Sequence, residues 1–203
     1  MKIYSKFIAL TALLILGGCS GKTTSSSAIS SSKQDVSNGS SSEKEVTYGE
    51  QTFNFANTSK AVKISEGHEE EFKAMFSDSS FLKLETYDLG GYVGFDLGGV
   101  KLGSAKEVGK LTLNFNYEVS EIIFSVSPYY KEYDGQINYD DTKIVVNGSS
   151  CEVEKVNYPT SVTYDTITDD NYSKNIVIEN EAGGTTTSSR LIIYAMIVTY
   201  IIA

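Results

Sequence analysis

The chain has 203 residues, and 17 Lys and Arg stand against 26 Asp and Glu, for a formal net charge of −9. That balance excludes a nucleic-acid binder, which needs clustered Lys and Arg to neutralise phosphates, and a surface that lies flat on anionic lipid. One His and two Cys in the whole chain also leave no set of soft ligands for a metal cluster.

The N-terminus opens with Lys2 and Lys6, followed by an apolar run from Phe7 to Leu16. A bilayer core needs about 20 residues of helix, so this run predicts a secretory signal rather than a membrane span. It ends in Leu16-Gly17-Gly18-Cys19, which resembles the lipobox of bacterial lipoproteins. That resemblance implies a diacylglycerol on the Cys19 sulfur, cleavage after residue 18, and acylation of the new amino group, with palmitate as one such chain. Two or three chains make a stable anchor where one is marginal. The expected location is the cell membrane, lipid-anchored and facing outside the cytoplasm, with the lipid as the membrane contact. Losing Lys2 and Lys6 but no acid takes the net charge from −9 to −11. A lipidated Cys19 is not available for a disulfide, so Cys151, beside Val153, is expected as a small buried apolar residue.

Residues 19–46 are read as the lipidated Cys and a disordered linker. Eleven of the 27 residues from Ser20 to Val46 are Ser, and such a segment buries too little apolar surface to offset its ordering entropy. As a flexible coil it spans on the order of 30 Å, enough to lift a domain off the membrane. Gly21-Lys22-Thr23 looks like the end of a phosphate loop, but the glycine required five positions earlier is Leu16. Gly103 to Lys110 fails the same test, with a spacing one residue too long and Leu111 where magnesium needs a hydroxyl.

Residues 47–203 are read as one folded domain. A helix is predicted over Gly67–Phe76, where Phe72, Met75 and Phe76 share a face. His68, beside Glu69, Glu70 and Glu71, is expected on the helix surface. Lys110–Tyr117 alternates strictly: Leu111, Leu113, Phe115 and Tyr117 face one way, Thr112, Asn114 and Asn116 the other, as in a half-buried strand. Strands are also predicted at Ile122–Ser127, Lys143–Asn147, Glu152–Val156, Val162–Ile167 and Asn175–Ile178, with turns at Asp134-Gly135 and Asn147-Gly148. The glycines at 90, 91, 94, 98 and 99 suit turns and close strand packing, since no βαβ unit surrounds them. Leu191–Ile202 is apolar on both faces and too short to cross a membrane as a helix, so it predicts a central strand covered on both sides. A second membrane anchor is the competing reading. The fold class is all-β: an antiparallel sandwich, jelly-roll-like, with one short helix, preceded by the Ser-rich linker.

Gly98-Gly99-Val100-Lys101-Leu102-Gly103-Ser104, Gly109-Lys110-Leu111-Thr112-Leu113, Val126-Ser127-Pro128-Tyr129-Tyr130, Ile144-Val145-Val146-Asn147-Gly148 and Arg190-Leu191-Ile192-Ile193 occur in that order. The order resembles a jelly-roll-like module of extracellular proteins from Gram-positive and gut bacteria, over residues 85–203. Such modules look like carbohydrate-binding and galactose-binding-like sandwiches and often sit beside a nuclease or hydrolase domain. The resemblance implies a binding role and, in many such sandwiches, a structural calcium in a loop. Asp134, Asn138, Asp140 and Asp141 form one acidic cluster of the required chemistry, and Asp169, Asp170 and Asn171 another, neither with EF-hand spacing. No metal or cofactor is assigned, and the acids are read as solvated loop residues.

The stretch from Tyr129 to Tyr139 interleaves four tyrosines with Asp, Gln and Asn. Sugars are held by rings against their C–H faces and by amides and carboxylates on their hydroxyls. Tyr130, Tyr133, Asp134, Asn138 and Tyr139 are therefore the candidate ligand-binding residues, and the competing reading puts these tyrosines in the core. No catalytic residue is assigned, and the chain is expected not to be an enzyme. The function expected is a surface lipoprotein presenting a non-catalytic module for an extracellular glycan. The alternative is a structural or adhesion lipoprotein with a protein partner on the cell surface.

Overall fold

The computed structural model describes residues 46–55, 60–79, 81–165, 172–182 and 189–202. Cys19, the expected signal peptide, all of the linker but its last residue and the Asp169, Asp170, Asn171 cluster lie outside the described residues.

The elements in chain order are β1 (Tyr48–Asn54), β2 (Val62–Lys63), α1 (Glu69–Ala74), β3 (Leu84–Gly91), β4 (Val93–Asp96), β5 (Gly99–Leu102), β6 (Gly109–Pro128), β7 (Tyr130–Tyr133) and β8 (Gln136–Tyr139). Then follow β9 (Thr142–Val146), β10 (Ser149–Glu152), β11 (Thr160–Asp165), β12 (Ser173–Ala182) and β13 (Leu191–Ile201). Among the described residues every strand pairing is antiparallel. The described residues form an antiparallel β-sandwich with one short helix.

The twenty-residue β6 belongs to both layers. Its first half pairs with β3 and β12, and its second half with β11 and β13. In the first half the odd positions Leu111, Leu113 and Phe115 are buried, and in the second the even positions Ile122, Phe124 and Val126. Side chains alternate with a period of two, so this one-residue slip turns the opposite edge of the sequence toward the core. The pairing shifts register at the same place, between Ser173 and Asn175 of β12 and between Thr199 and Tyr200 of β13. The two strands expected from the sequence are therefore one bent strand.

One layer continues from β13 to β5, β4 and β2, with β1 beside the C-terminal part of β13; the other continues from β12 to β9 and β10. Phe53 stacks on Phe115 with centroids 6.0 Å apart, and Phe76 packs 5.0 Å from Phe53, closing the core beneath α1. The helix is shorter than predicted. Gly67 has φ 98, outside helical space, and Ser77 Oγ donates to the Ala74 carbonyl at 2.7 Å to close the C-terminal turn. The anchors are those expected, since Phe72 and Phe76 are buried.

β13 is a central strand, flanked by β6 on one edge and by β5 and then β1 on the other. Leu191, Ile192 and Ile193 are covered on both faces, while Ile197 and Ile201 are only half-buried on the outer face. Among the described residues no helix is long and apolar enough to cross a membrane. The strand predicted at Glu152–Val156 instead occupies Ser149–Glu152, because Asn147 (φ 47) and Gly148 (φ 85) make the tight turn that starts it. Cys151 is buried there as expected, on a strand that ends its sheet.

Phe124 is fully buried at the centre of this core. Phe124→Ala is expected to lower unfolding free energy by about 3–5 kcal/mol, the usual result of truncating a buried aromatic. Urea denaturation followed by circular dichroism checks it, and a loss below about 1 kcal/mol is inconsistent with this packing.

Candidate functional site

Asp134 (φ 51) and Gly135 (φ 73) form the two-residue turn that joins β7 to β8. Both sit in the left-handed region, which an Asp-Gly pair adopts readily and which matches the twist of a hairpin. Tyr130 lies opposite Tyr139, Lys131 opposite Asn138, Glu132 opposite Ile137 and Tyr133 opposite Gln136. Opposed residues share a face and alternate residues switch faces. Tyr130 and Tyr139 are thus on one side, their half-buried rings 6.2 Å apart. Tyr133, 75% exposed, is on the other side with Asn138, and Asp134 is exposed at the tip. The structure brings the predicted residues together in two sets rather than on one face, and none of the three tyrosines lies in the buried core.

The hairpin rises from a second cluster that sequence reasoning missed. Across the sheet, Gly94 of β4 lies opposite Lys101 of β5, Lys101 opposite Ile192 of β13, and Ile192 opposite Ser127 of β6. These four share the face turned away from the core residues Val93, Phe95, Val100 and Ile193. Steps of two along each strand add Tyr92, Asp96, Arg190 and Tyr129 to the same face. Glycine at 94 and 99 keeps the strands close: a Cβ there would come within 2.4 Å of the Val62 carbonyl oxygen and 2.6 Å of that of Ile193. A bulge between Ile193 and Ala195 re-aims Tyr194, whose hydroxyl meets Ser127 Oγ at 3.2 Å.

The charges on this face are paired. Lys101 Nζ donates to Asp96 Oδ2 at 2.6 Å, with both side chains 8% exposed. The same ammonium lies 4.7 Å from the Tyr129 ring centroid and 5.1 Å from that of Tyr92. Arg190 Cζ lies 4.2 Å over Tyr129, and the guanidinium forks onto Asp140 at 2.6 and 2.9 Å. The Arg190 backbone N–H also donates to Asp140, at 3.0 Å. Burial raises the hydroxyl pKa values of Tyr92, Tyr129 and Tyr194 above the ordinary tyrosine value, and the hydrogen bond to Asp140 raises that of Arg190. Ile192 is fully buried yet stands outside the central hydrophobic cluster, because these aromatic and ionic side chains cover it.

The first acidic cluster is accordingly split, and Asp140 is not a solvated loop acid. It is held by Arg190, while Asp141 pairs with Lys155 at 3.1 Å. Among the described residues no group of three or more His, Cys, Asp or Glu has the arrangement of a metal site. His68 is half-buried beside α1, its Nδ1 3.1 Å from Glu71. A signal for the missed cluster existed, since Lys101 and Arg190 sit directly in apolar strand runs, where charges occur only when paired.

No family model matches the chain, and no curated protein sequence matches it. Among solved structures, the chain is similar to the CBM36-1 domain of a multidomain xylanase from the hindgut metagenome of Trinervitermes trinervoides. The TM-score is 0.30 and the identity 10%, over 74% of this chain and 96% of that one. A likeness this remote transfers no ligand and no residue role.

Removing one member of the buried pair strands the other. Lys101→Met is expected to cost about 3–5 kcal/mol by leaving the Asp96 charge buried and unpaired. The double variant with Asp96→Leu should recover most of that loss. Urea denaturation of the wild type, both single variants and the double variant measures the coupling, and additive losses would remove the pair from this account.

Proposed function

We propose that the chain is a surface lipoprotein, anchored through Cys19, whose β-sandwich is a non-catalytic module that binds an extracellular glycan. The observation that carries this reading is the continuity of tyrosines from the sheet face to the hairpin. Tyr92, Tyr129 and Tyr194 lie on the face, and Tyr130, the residue after Tyr129, faces Tyr139 in the hairpin. All five rings are half-buried, held in place yet accessible. Rings of this kind accept the C–H faces of sugars. Lys101 and Arg190 already have carboxylate partners, so the surface suits neutral sugars rather than acidic ones.

Tyr133 and Ile137, exposed near the hairpin tip, favour a second reading in which the hairpin contacts a protein. A glycan array probed with the full chain separates the two. The glycan reading expects binding to neutral oligosaccharides, and Tyr139→Ala should weaken it about fivefold with little change in melting temperature, since a stacked ring contributes roughly 1 kcal/mol. Binding to no glycan, or binding that survives in Tyr130→Ala and Tyr139→Ala alike, contradicts it and leaves the protein partner.

The anchor has its own test. Cells fed a palmitate analogue should label the wild type and not Cys19→Ser. Label on the Ser variant, or none on the wild type, contradicts the anchoring.

A further inference from the structure

A groove lies between α1 and β3, on elements that contribute nothing to the tyrosine surface. β3 pairs with β6 along one edge, and no other described strand pairs with it. A hollow of about 350 Å³ at one end of the groove is lined by Lys73, Phe76, Ser79, Lys83, Glu85 and Tyr87. A second hollow of about 490 Å³ continues from it along Thr86, Asp88 and Leu89 to Glu69, sharing Glu85 and Tyr87 with the first.

The groove is electrically polar along its length. Lys73 and Lys83 stand at one end, and Glu69 and Asp88 at the other. Lys73 holds Glu70 at 2.7 Å, but that pair is exposed, 51% and 89%, and such pairs exchange partners at little cost. At the lysine end Ser79 Oγ is buried and has no hydrogen-bond partner. A buried hydroxyl in that state is poised to donate to an incoming acceptor. Phe76 and Leu84 give this end an apolar floor.

We propose that this groove binds a short extended peptide, added as a strand to the open edge of β3. The C-terminal carboxylate would lie at Lys73, Lys83 and Ser79, and the N-terminal ammonium at Glu69 and Asp88. That polarity fixes the direction: the peptide runs from Asp88 toward Lys83, antiparallel to β3. Lys83 to Asp88 spans five steps of about 3.4 Å, which matches a peptide of about five residues. Main-chain hydrogen bonds to an edge supply affinity, and the charged ends supply register.

The test is titration of the isotopically labelled full chain in detergent micelles with pentaalanine carrying free termini, read by amide chemical shifts and calorimetry. Shifts confined to α1, Phe76–Ser79 and Lys83–Leu89 are expected. Amidating the peptide's C-terminus, or making Lys83→Glu, should each weaken binding about tenfold, as loss of a charge-assisted hydrogen bond does. Peptide N-methylated at alternate residues should not bind, and the urea midpoint of Lys83→Glu should match the wild type. Absence of shifts, equal affinity for the amidated peptide, or undiminished binding of the N-methylated one would overturn the proposal. None of these outcomes bears on glycan binding, because no residue of the tyrosine surface lines the groove.

Discussion

One strand cannot serve two sheets unless its side chains change sides, and β6 makes that change between Tyr117 and Ile122. Before it, where β6 pairs with β3 and β12, the odd residues face the core; after it, where β6 pairs with β11 and β13, the even residues do. Both layers therefore share a single backbone, and their relative placement follows from a one-residue slip rather than from packing alone. The slip also decides what faces outward at the end of β6: with Val126 in the core, Ser127 and Tyr129 fall on the outer face. The tyrosine surface is a consequence of the same parity that closes the core.

A sheet face carrying Lys101 and Asp96 at 8% exposure pays for its desolvation with a short ion pair and two aromatic rings. Such an arrangement adds little net stability, since an apolar pair of equal volume often does as well. What it supplies here is position. Lys101 and Arg190 both lie against Tyr129, Arg190 holds Asp140, and the Asp140 N–H donates to the Tyr129 carbonyl at 2.8 Å. The two ends of the hairpin, Tyr129 and Asp140, are thereby tied together at its base, and Tyr130 and Tyr139 start from that fixed point.

Much of the scaffold was legible from alternation. Leu111, Leu113 and Phe115 against Ile122, Phe124 and Val126 record the parity change directly, although a sequence reader sees two strands where the chain has one. Asp134-Gly135 and Asn147-Gly148 announced their turns because both need a left-handed backbone. Less was legible where local signals conflicted. The apolar face of α1 extended the predicted helix to Gly67, whose positive φ forbids it. β3 escaped notice because an edge strand exposed along Glu85, Thr86 and Asp88 shows little alternation. Tyr92, Asp96, Lys101 and Arg190 come from separate stretches of the chain and meet only through strand register, which single-sequence patterning does not provide. The hairpin candidates were legible as a group, but their division between two faces required the pairing of Tyr130 with Tyr139.

The most direct measurement is of the tyrosine ring protons, by NMR of the full chain with selectively labelled tyrosine, as a neutral oligosaccharide is added. This account predicts shifts at Tyr130, Tyr139 and Tyr194, with Tyr87 beside α1 and the buried Tyr164 unchanged. Shifts at none of those three rings with a ligand that binds, or shifts at Tyr87 alone, would contradict it.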